Sequence, residues 1–368
     1  MTATVAPQSE SVPSRSVQKS GSMQTNESVP GAGLSLVAAG AGVIALVHQP
    51  SLTIAPASML IRPVRVGLCG TDLEIIAGTV DADFVNYPVV LGHEWSGRVA
   101  EIAADVSSEI CVGDLVVVEG VIPCGHCARC REGATNLCLS KYDEIGFTRA
   151  GAAAPLVLAP AELVHKVNDE VGPDAAALVE PASVVYRALC RVSPRPNARV
   201  LVIGAGTIGL LAVQLISLWS PASVTVFDRR TEQGDLAAQA GASEYLTSAE
   251  TLADNYDIVV EAAGAVATVG IALSHAKRGG TIVLLGYPGD GVTVPIAIDD
   301  VINNDLSIIG SFSYTSSVWR EVVHLLNSAR VRFDFLVTHR FPLSNWHQAT
   351  DALANATGAR AKVMLDLD

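Results

Sequence analysis

Apolar positions fall into two regimes along the chain. Between residues 34 and 120 they come as short runs broken by polar residues: LSLVAAGAGVIALV, MLIRPVRV, YPVVL, SGRVAEIA and GDLVVVEG. Runs of this kind predict β-strands joined by turns. From Val200 onward the runs are compact (VLVI, VTVF, DIVVE, TIVLLG, SIIGS), with helical stretches between them. Strand and helix in alternation predict a parallel, doubly wound sheet. Beyond about residue 315 that alternation stops, and TSSVWREVVHLLNSARV reads as an amphipathic helix. Residues 1–33 are rich in Ser, Thr, Gln, Val and Pro, lack apolar periodicity and are expected to be a disordered tail.

The apolar segment 34–47 invites a second reading as a signal-peptide core or membrane span. Fourteen residues are too few to span, and the preceding tail is too long and too weakly basic for a leader, so it is read as the first strands of a β domain. The expected class is α/β, with a β-rich domain over 34–185 and 315–368 and a dinucleotide-binding domain over 186–314.

Length and charge narrow the function. At 368 residues, 49% apolar and 17% charged, the chain has material for two cores. A net charge of −13 argues against nucleic acid or an anionic membrane as partner and favours a small-molecule substrate. Four of seven cysteines fall within residues 124–138, which points to metal and to a reducing, cytoplasmic compartment.

Two stretches carry chemistry. In VLVIGAGTIG a strand runs into Gly204, Gly206 and Gly209, with Ile208 in the same turn, and an apolar helix follows. Glycines there let the backbone turn tightly and approach a pyrophosphate resting on the helix N-terminus. Asp228, at the tip of the next strand, would accept hydrogen bonds from an adenosine ribose, which favours NAD. Arg229 and Arg230 beside it could hold a 2′-phosphate, so NADP stays open. The second stretch, Cys124, Cys127, Cys130 and Cys138, has the spacing C-x2-C-x2-C-x7-C. Four thiolates from one loop can close a tetrahedron around a structural zinc; an iron–sulfur cluster is the chemical alternative.

GLCGTD, LGHEWSGRV, the four-cysteine lobe, LVEPASV and VIGAGTIG, in this order, resemble the zinc-containing medium-chain dehydrogenase/reductase family. The resemblance runs from about residue 35 to the end. It implies a GroES-like catalytic domain beside a Rossmann domain, with a structural-zinc lobe at about 120–142. Glu180 in VEPASV is similar to the polyol, threonine and glucose dehydrogenase branch. A second, catalytic zinc is implied, two per chain in all, for which Cys69, His93, Glu94 and Glu180 offer a thiolate, an imidazole and two carboxylates. Leu285 and Gly286 resemble the loop that touches the nicotinamide carboxamide.

The implied reaction passes a hydride between NAD(P) and a secondary alcohol of a polyol, sugar, cyclitol or amino alcohol, in either direction. Thr71 would take the alcohol proton, and Glu74, where many relatives have histidine, would relay it. Ser313 replaces an arginine that polyol dehydrogenases carry, while Phe312 and Tyr314 are candidates to line the nicotinamide end of the cleft. A threonine dehydrogenase is the nearest alternative; a non-catalytic binding protein on the same fold is the alternative of another class. Family members commonly assemble as homodimers or homotetramers, and the same is expected here.

Overall fold

A computed structural model describes residues 33–289 and 291–367; apart from Gly33, the expected tail lies outside the described residues. The segment 34–47 forms most of a hairpin, β1 (Leu34–Gly40) and β2 (Val43–His48). After it come β3 (Ser58–Leu68), α1 (Gly70–Ala77), β4 (Val89–Val90), β5 (Glu94–Ile102), β6 (Leu115–Val118) and a short α2 (Ala128–Arg131) in the cysteine lobe. Next are β7 (Val157–Pro160), β8 (Val164–Lys166), α3 (Gly172–Ala176) and the long α4 (Val179–Val192). The alternating half supplies β9 (Arg199–Ile203), α5 (Thr207–Ile216), β10 (Ser223–Phe227), α6 (Gly234–Ala240), β11 (Glu244–Leu246), β12 (Tyr256–Glu261), α7 (Val266–His275), β13 (Ala276–Leu284), α8 (Ile298–Asn303) and β14 (Ser307–Gly310). The chain ends with α9 (Ser316–Asn327), β15 (Val337–Pro342), α10 (Trp346–Asn355) and β16 (Lys362–Asp366).

Three sheets result. β9 to β14 form a six-stranded sheet in the order β11-β10-β9-β12-β13-β14, parallel throughout. A seven-stranded, mainly antiparallel sheet runs β15-β16-β3-β5-β6-β8 with β7 on β3, and β2-β1-β4 forms a small third sheet. Pro63 lies within β3 because the pairing with β5 slips between Pro63 and Arg65, where a missing N–H costs no ladder bond. The chain thus adopts the expected α/β class, a β-rich part beside a doubly wound sheet. β15 and β16 rejoin the β-rich sheet after the parallel one is complete.

Shared burial ties the two larger sheets together. On β9, Val200 and Val202 face one apolar cluster and Leu201 and Ile203 another, as a strand covered on both faces requires. The first cluster continues through Val185 and Leu189 of α4 and Trp319 and Val322 of α9 to Leu115 and Val117 of β6. α4 is therefore packed between the two sheets, and it carries Glu180 at its first turn. Met59, Ile61, Val66, Val116, Val363 and Leu365 fill the β-rich half.

Candidate active site

Strand register brings the first set of ligands together. β3 ends at Leu68, so that Cys69 is the N-cap of α1, and β5 starts at Glu94 with His93 just before it. Gly67 of β3 pairs opposite Glu94, and a Cβ on it would stand 2.6 Å from Glu94 Oε2, so only glycine leaves room for that carboxylate. Cys69 Sγ is 3.2 Å from His93 Nε2. Donor atoms of Cys69, His93 and Glu94 all lie within 4.8 Å of one another. Glu180, buried at the start of α4, is not in that cluster.

Two charged residues missed by the sequence reading complete the surroundings. Asp72, three residues into α1 and fully buried, accepts from the Cys69 amide at 2.9 Å. Its other oxygen faces His93 Nδ1 at 3.6 Å, and neither of those two atoms has a hydrogen-bond partner. Lys362 of β16, also buried, donates to Glu94 Oε2 and to the Leu68 carbonyl. A single lysine in the otherwise apolar AKVML was the available signal for it, as was the i, i+3 spacing from Cys69 for Asp72.

The electrostatics are those of a site short of positive charge. Burial disfavours the His93 imidazolium, but Cys69, Asp72 and Glu94 outweigh it and raise its pKa well above the ordinary value. Burial, reinforced by Glu94, pushes Glu180 up to about 8. Glu144, which accepts a bond from the Tyr142 hydroxyl, is pushed by burial up to about 7 against the pull of that bond and of His93. A soft thiolate, an imidazole and a carboxylate converging at one point suit zinc and leave a coordination position open. The facing Asp72 and His93 atoms suit it too, since a ligating imidazole is normally fixed through its second nitrogen by a carboxylate.

Thr71 is half-buried beside Cys69, and Glu74 lies three residues on, exposed, along the same helix face. An aromatic wall leads away from the cluster: the rings of His93 and Phe147 are 5.0 Å apart, those of Phe147 and Tyr142 6.4 Å, and those of Tyr142 and Phe312 6.4 Å. Phe312 lines the cavity there. Tyr314 does not: it is fully buried, and its hydroxyl accepts from the amides of Gly120 at 2.8 Å and Val121 at 3.3 Å.

The four cysteines of the lobe also converge within 4.8 Å. Backbone amides point at the sulfurs, Cys127 N to Cys124 Sγ at 3.4 Å and Cys130 N to Cys127 Sγ at 3.5 Å among them. The Ser140 hydroxyl, followed by such amides, lowers the Cys124 thiol to about 5, amides lower Cys127, and burial raises Cys130. Thiolate character at Cys124 and Cys127, in a lobe whose helix buries none of its residues, fits a closed zinc site. The lobe is tied to the cavity wall, since the Asn136 amide donates to the Phe312 carbonyl at 2.6 Å and the Ser316 amide to Thr135 Oγ1 at 3.0 Å.

At the parallel sheet, Gly204 has φ +100, and a Cβ on Gly209 would stand 1.8 Å from the Gly204 carbonyl, so strand and helix meet at glycine only. A Cβ on Gly206 would meet nothing within 4 Å, and Ile208 sits half-buried in the first turn of α5. Asp228 Oδ2 accepts from the Ala205 amide at 2.8 Å, while Arg230 grips the carboxylate through Nε at 3.0 Å and Nη2 at 2.8 Å. Arg229 is exposed. Leu285 and Gly286 both donate their amides to the Glu261 carbonyl, at 2.9 and 3.1 Å, and line a cavity with Phe312.

Comparison with known proteins follows the same division. Residues 55–169 match the alcohol dehydrogenase GroES-like domain, and residues 173–366 match the glucose dehydrogenase C-terminus. A sorbitol dehydrogenase of Arabidopsis thaliana is 32% identical over 349 residues, covering 89% of this chain and 93% of its own. Among solved structures, a protein described as a zinc-binding dehydrogenase from Sinorhizobium meliloti 1021, bound to NADP, superimposes with a TM-score of 0.83 at 28% identity, over 90% of this chain and 98% of that one. Galactitol-1-phosphate dehydrogenase from Escherichia coli gives 0.80 at 27% identity, over 90% and 99%. Among the described residues no helix is long and apolar enough to cross a membrane.

Proposed function

Since the chain belongs to the zinc-containing medium-chain dehydrogenase/reductase family and is an oxidoreductase acting on CH–OH donors, we propose that it interconverts a secondary alcohol and its ketone with zinc and NAD(P). The alcohol belongs to a polyol, sugar, cyclitol or amino alcohol. The observation that carries this reading is the convergence of Cys69, His93 and Glu94 within 4.8 Å from separate strands.

When bound, zinc at these three residues supplies a Lewis acid that acidifies the substrate hydroxyl, and nicotinamide supplies the hydride acceptor or donor. Asp72 holds the Cys69 backbone and fixes the tautomer of His93. Lys362 offsets the charge of Glu94, and Glu180 stands by as a further carboxylate for zinc or its water. Thr71 takes the hydroxyl proton, and Glu74 delivers it to solvent. The turn at Gly204, Gly206, Ile208 and Gly209 receives the pyrophosphate, with Leu285 and Gly286 at the carboxamide. Asp228 receives the ribose, which favours NAD, and because Arg230 shares its charge NADP is the alternative cofactor. The four-cysteine lobe holds a second, structural zinc. Reduced thiols in that lobe support a cytoplasmic location. The exposed Ile298 and Ile302 of α8, which precedes the edge strand β14 in the chain, support assembly as a homodimer or homotetramer.

The test is cofactor turnover with a panel of secondary polyols, cyclitols and threonine. Reduction of NAD or NADP by at least one, lost in Cys69→Ser with the fold intact, is expected. A Cys69→Ser enzyme as active as wild type would overturn the reading.

A further inference from the structure

α4 carries two arginines, Arg187 and Arg191, four residues apart and so on one helix face. Both line a cavity of about 500 Å³ that is walled also by Leu285, Gly286 and Phe312. Arg187 is half-buried, and its Nε is shielded from solvent without a hydrogen-bond partner. Arg191 donates to the Gly310 carbonyl. Among the described residues no carboxylate pairs with either guanidinium. In a chain with 37 Asp and Glu against 24 Lys and Arg, that absence is informative. Lys362 is matched by Glu94 and Arg230 by Asp228, while half-buried Arg360 spends its guanidinium on the Ala352 and Leu353 carbonyls.

Two unmatched guanidiniums in one cavity wall destabilise each other, and both burial and Arg191 disfavour the charged form of Arg187. An anion entering the cavity removes that cost. The guanidinium fork suits an oxyanion, and two forks suit a dianion better than a single carboxylate. The position also fits a substrate group. This cavity shares Asn136, Leu137 and Phe312 with a neighbouring one of about 440 Å³ that is lined by Tyr142, whose ring belongs to the aromatic wall starting at His93.

We infer that Arg187 and Arg191 form an anion subsite that takes the phosphate monoester of a phosphorylated polyol, with the reacting hydroxyl toward His93 and the phosphate beyond Phe312. This rests on the dehydrogenase reading above. Arg187 supplies the shielded contact and Arg191 the outer one, so their loss has unequal consequences.

The experiment compares kcat/KM for sorbitol 6-phosphate and for sorbitol in wild type, Arg187→Gln and Arg191→Gln, together with calorimetric binding of inorganic phosphate to each. Wild type should prefer the phosphate ester, and that preference should fall about 10- to 100-fold in Arg187→Gln and less in Arg191→Gln. Arg187→Lys should restore part of it. Inorganic phosphate should bind wild type and not Arg187→Gln. This second readout decides the subsite even if neither alcohol is turned over, an outcome that would count against the dehydrogenase reading alone. An unchanged preference together with unchanged phosphate binding would overturn the proposal. So would an effect of Arg187→Gln confined to the KM for NAD(P), which would assign the arginines to the cofactor. A change of oligomeric state without loss of phosphate binding would assign them to an acidic group of a second copy.

Discussion

The two clusters of candidate metal ligands are built in opposite ways. In the lobe all four sulfurs come from residues 124–138, most donors to them are backbone amides, and α2 buries none of its residues. Leu137 and Leu139 are exposed, so the lobe has little apolar burial of its own. The Cys69 cluster is drawn instead from β3 and β5, with Lys362 reaching Glu94 from 268 positions away and Asp72 beneath the thiol. There the fold makes the site; in the lobe a bound metal would make the fold. Removing metal from the lobe should therefore cost structure, and removing it from the other site should cost chemistry.

The sharpest way to break this contrast is Cys124→Ser. Metal binding in a loop without a core is folding energy, so thermal unfolding should show a loss on the order of several kcal/mol. The damage should spread to the cavity wall through the Asn136 bond to the Phe312 carbonyl. An unchanged melting temperature would mean that the lobe is held by something other than metal. Asp72→Asn tests the opposite site. Keeping its shape but losing its charge, it should weaken retention of the Cys69-site metal against a chelator by about 10- to 100-fold while unfolding stays close to wild type. If stability fell and metal retention did not, Asp72 would be a structural residue.

How far each site could be read from sequence follows the same contrast. The cysteine spacing and the glycines of VIGAGTIG are legible because their partners are local. So are most of the strands, because burial on one or both faces writes itself into the apolar pattern. Asp72 and Lys362 escaped, since their value depends on a helix turn and on a register between strands far apart in sequence. Tyr314, expected at the cleft, is instead a buried brace. Arg187 and Arg191 carry no signal in the sequence, and only the cavity they line gives them a role.

Tyr314→Phe sharpens the contrast on a smaller scale. It leaves the Gly120 amide buried and unpaired, which should cost about 1–3 kcal/mol in denaturant unfolding without changing the metal content of either cluster. The smallest effect is expected away from both clusters. Burial works against the Asp228 carboxylate, but Arg230 and the amides of Arg230 and Ala205 hold its pKa below the ordinary value. A depressed folded-state pKa contributes stability that is present above the unfolded value of about 3.9 and is lost as pH falls through the folded one. Asp228→Asn should accordingly flatten stability against pH below about 4 and leave the neutral region nearly unchanged in shape. An acid limb as steep as that of wild type would remove Asp228 from the account.

Zinc per chain, determined by mass spectrometry on purified wild type, Cys69→Ser and Cys124→Ser, tests the two-site claim most directly. Wild type should hold near two and each variant near one, with the fold retained in Cys69→Ser and loosened in Cys124→Ser. A value near one in both wild type and Cys69→Ser would contradict it, leaving the lobe as the single metal site and the Cys69 cluster without its proposed chemistry.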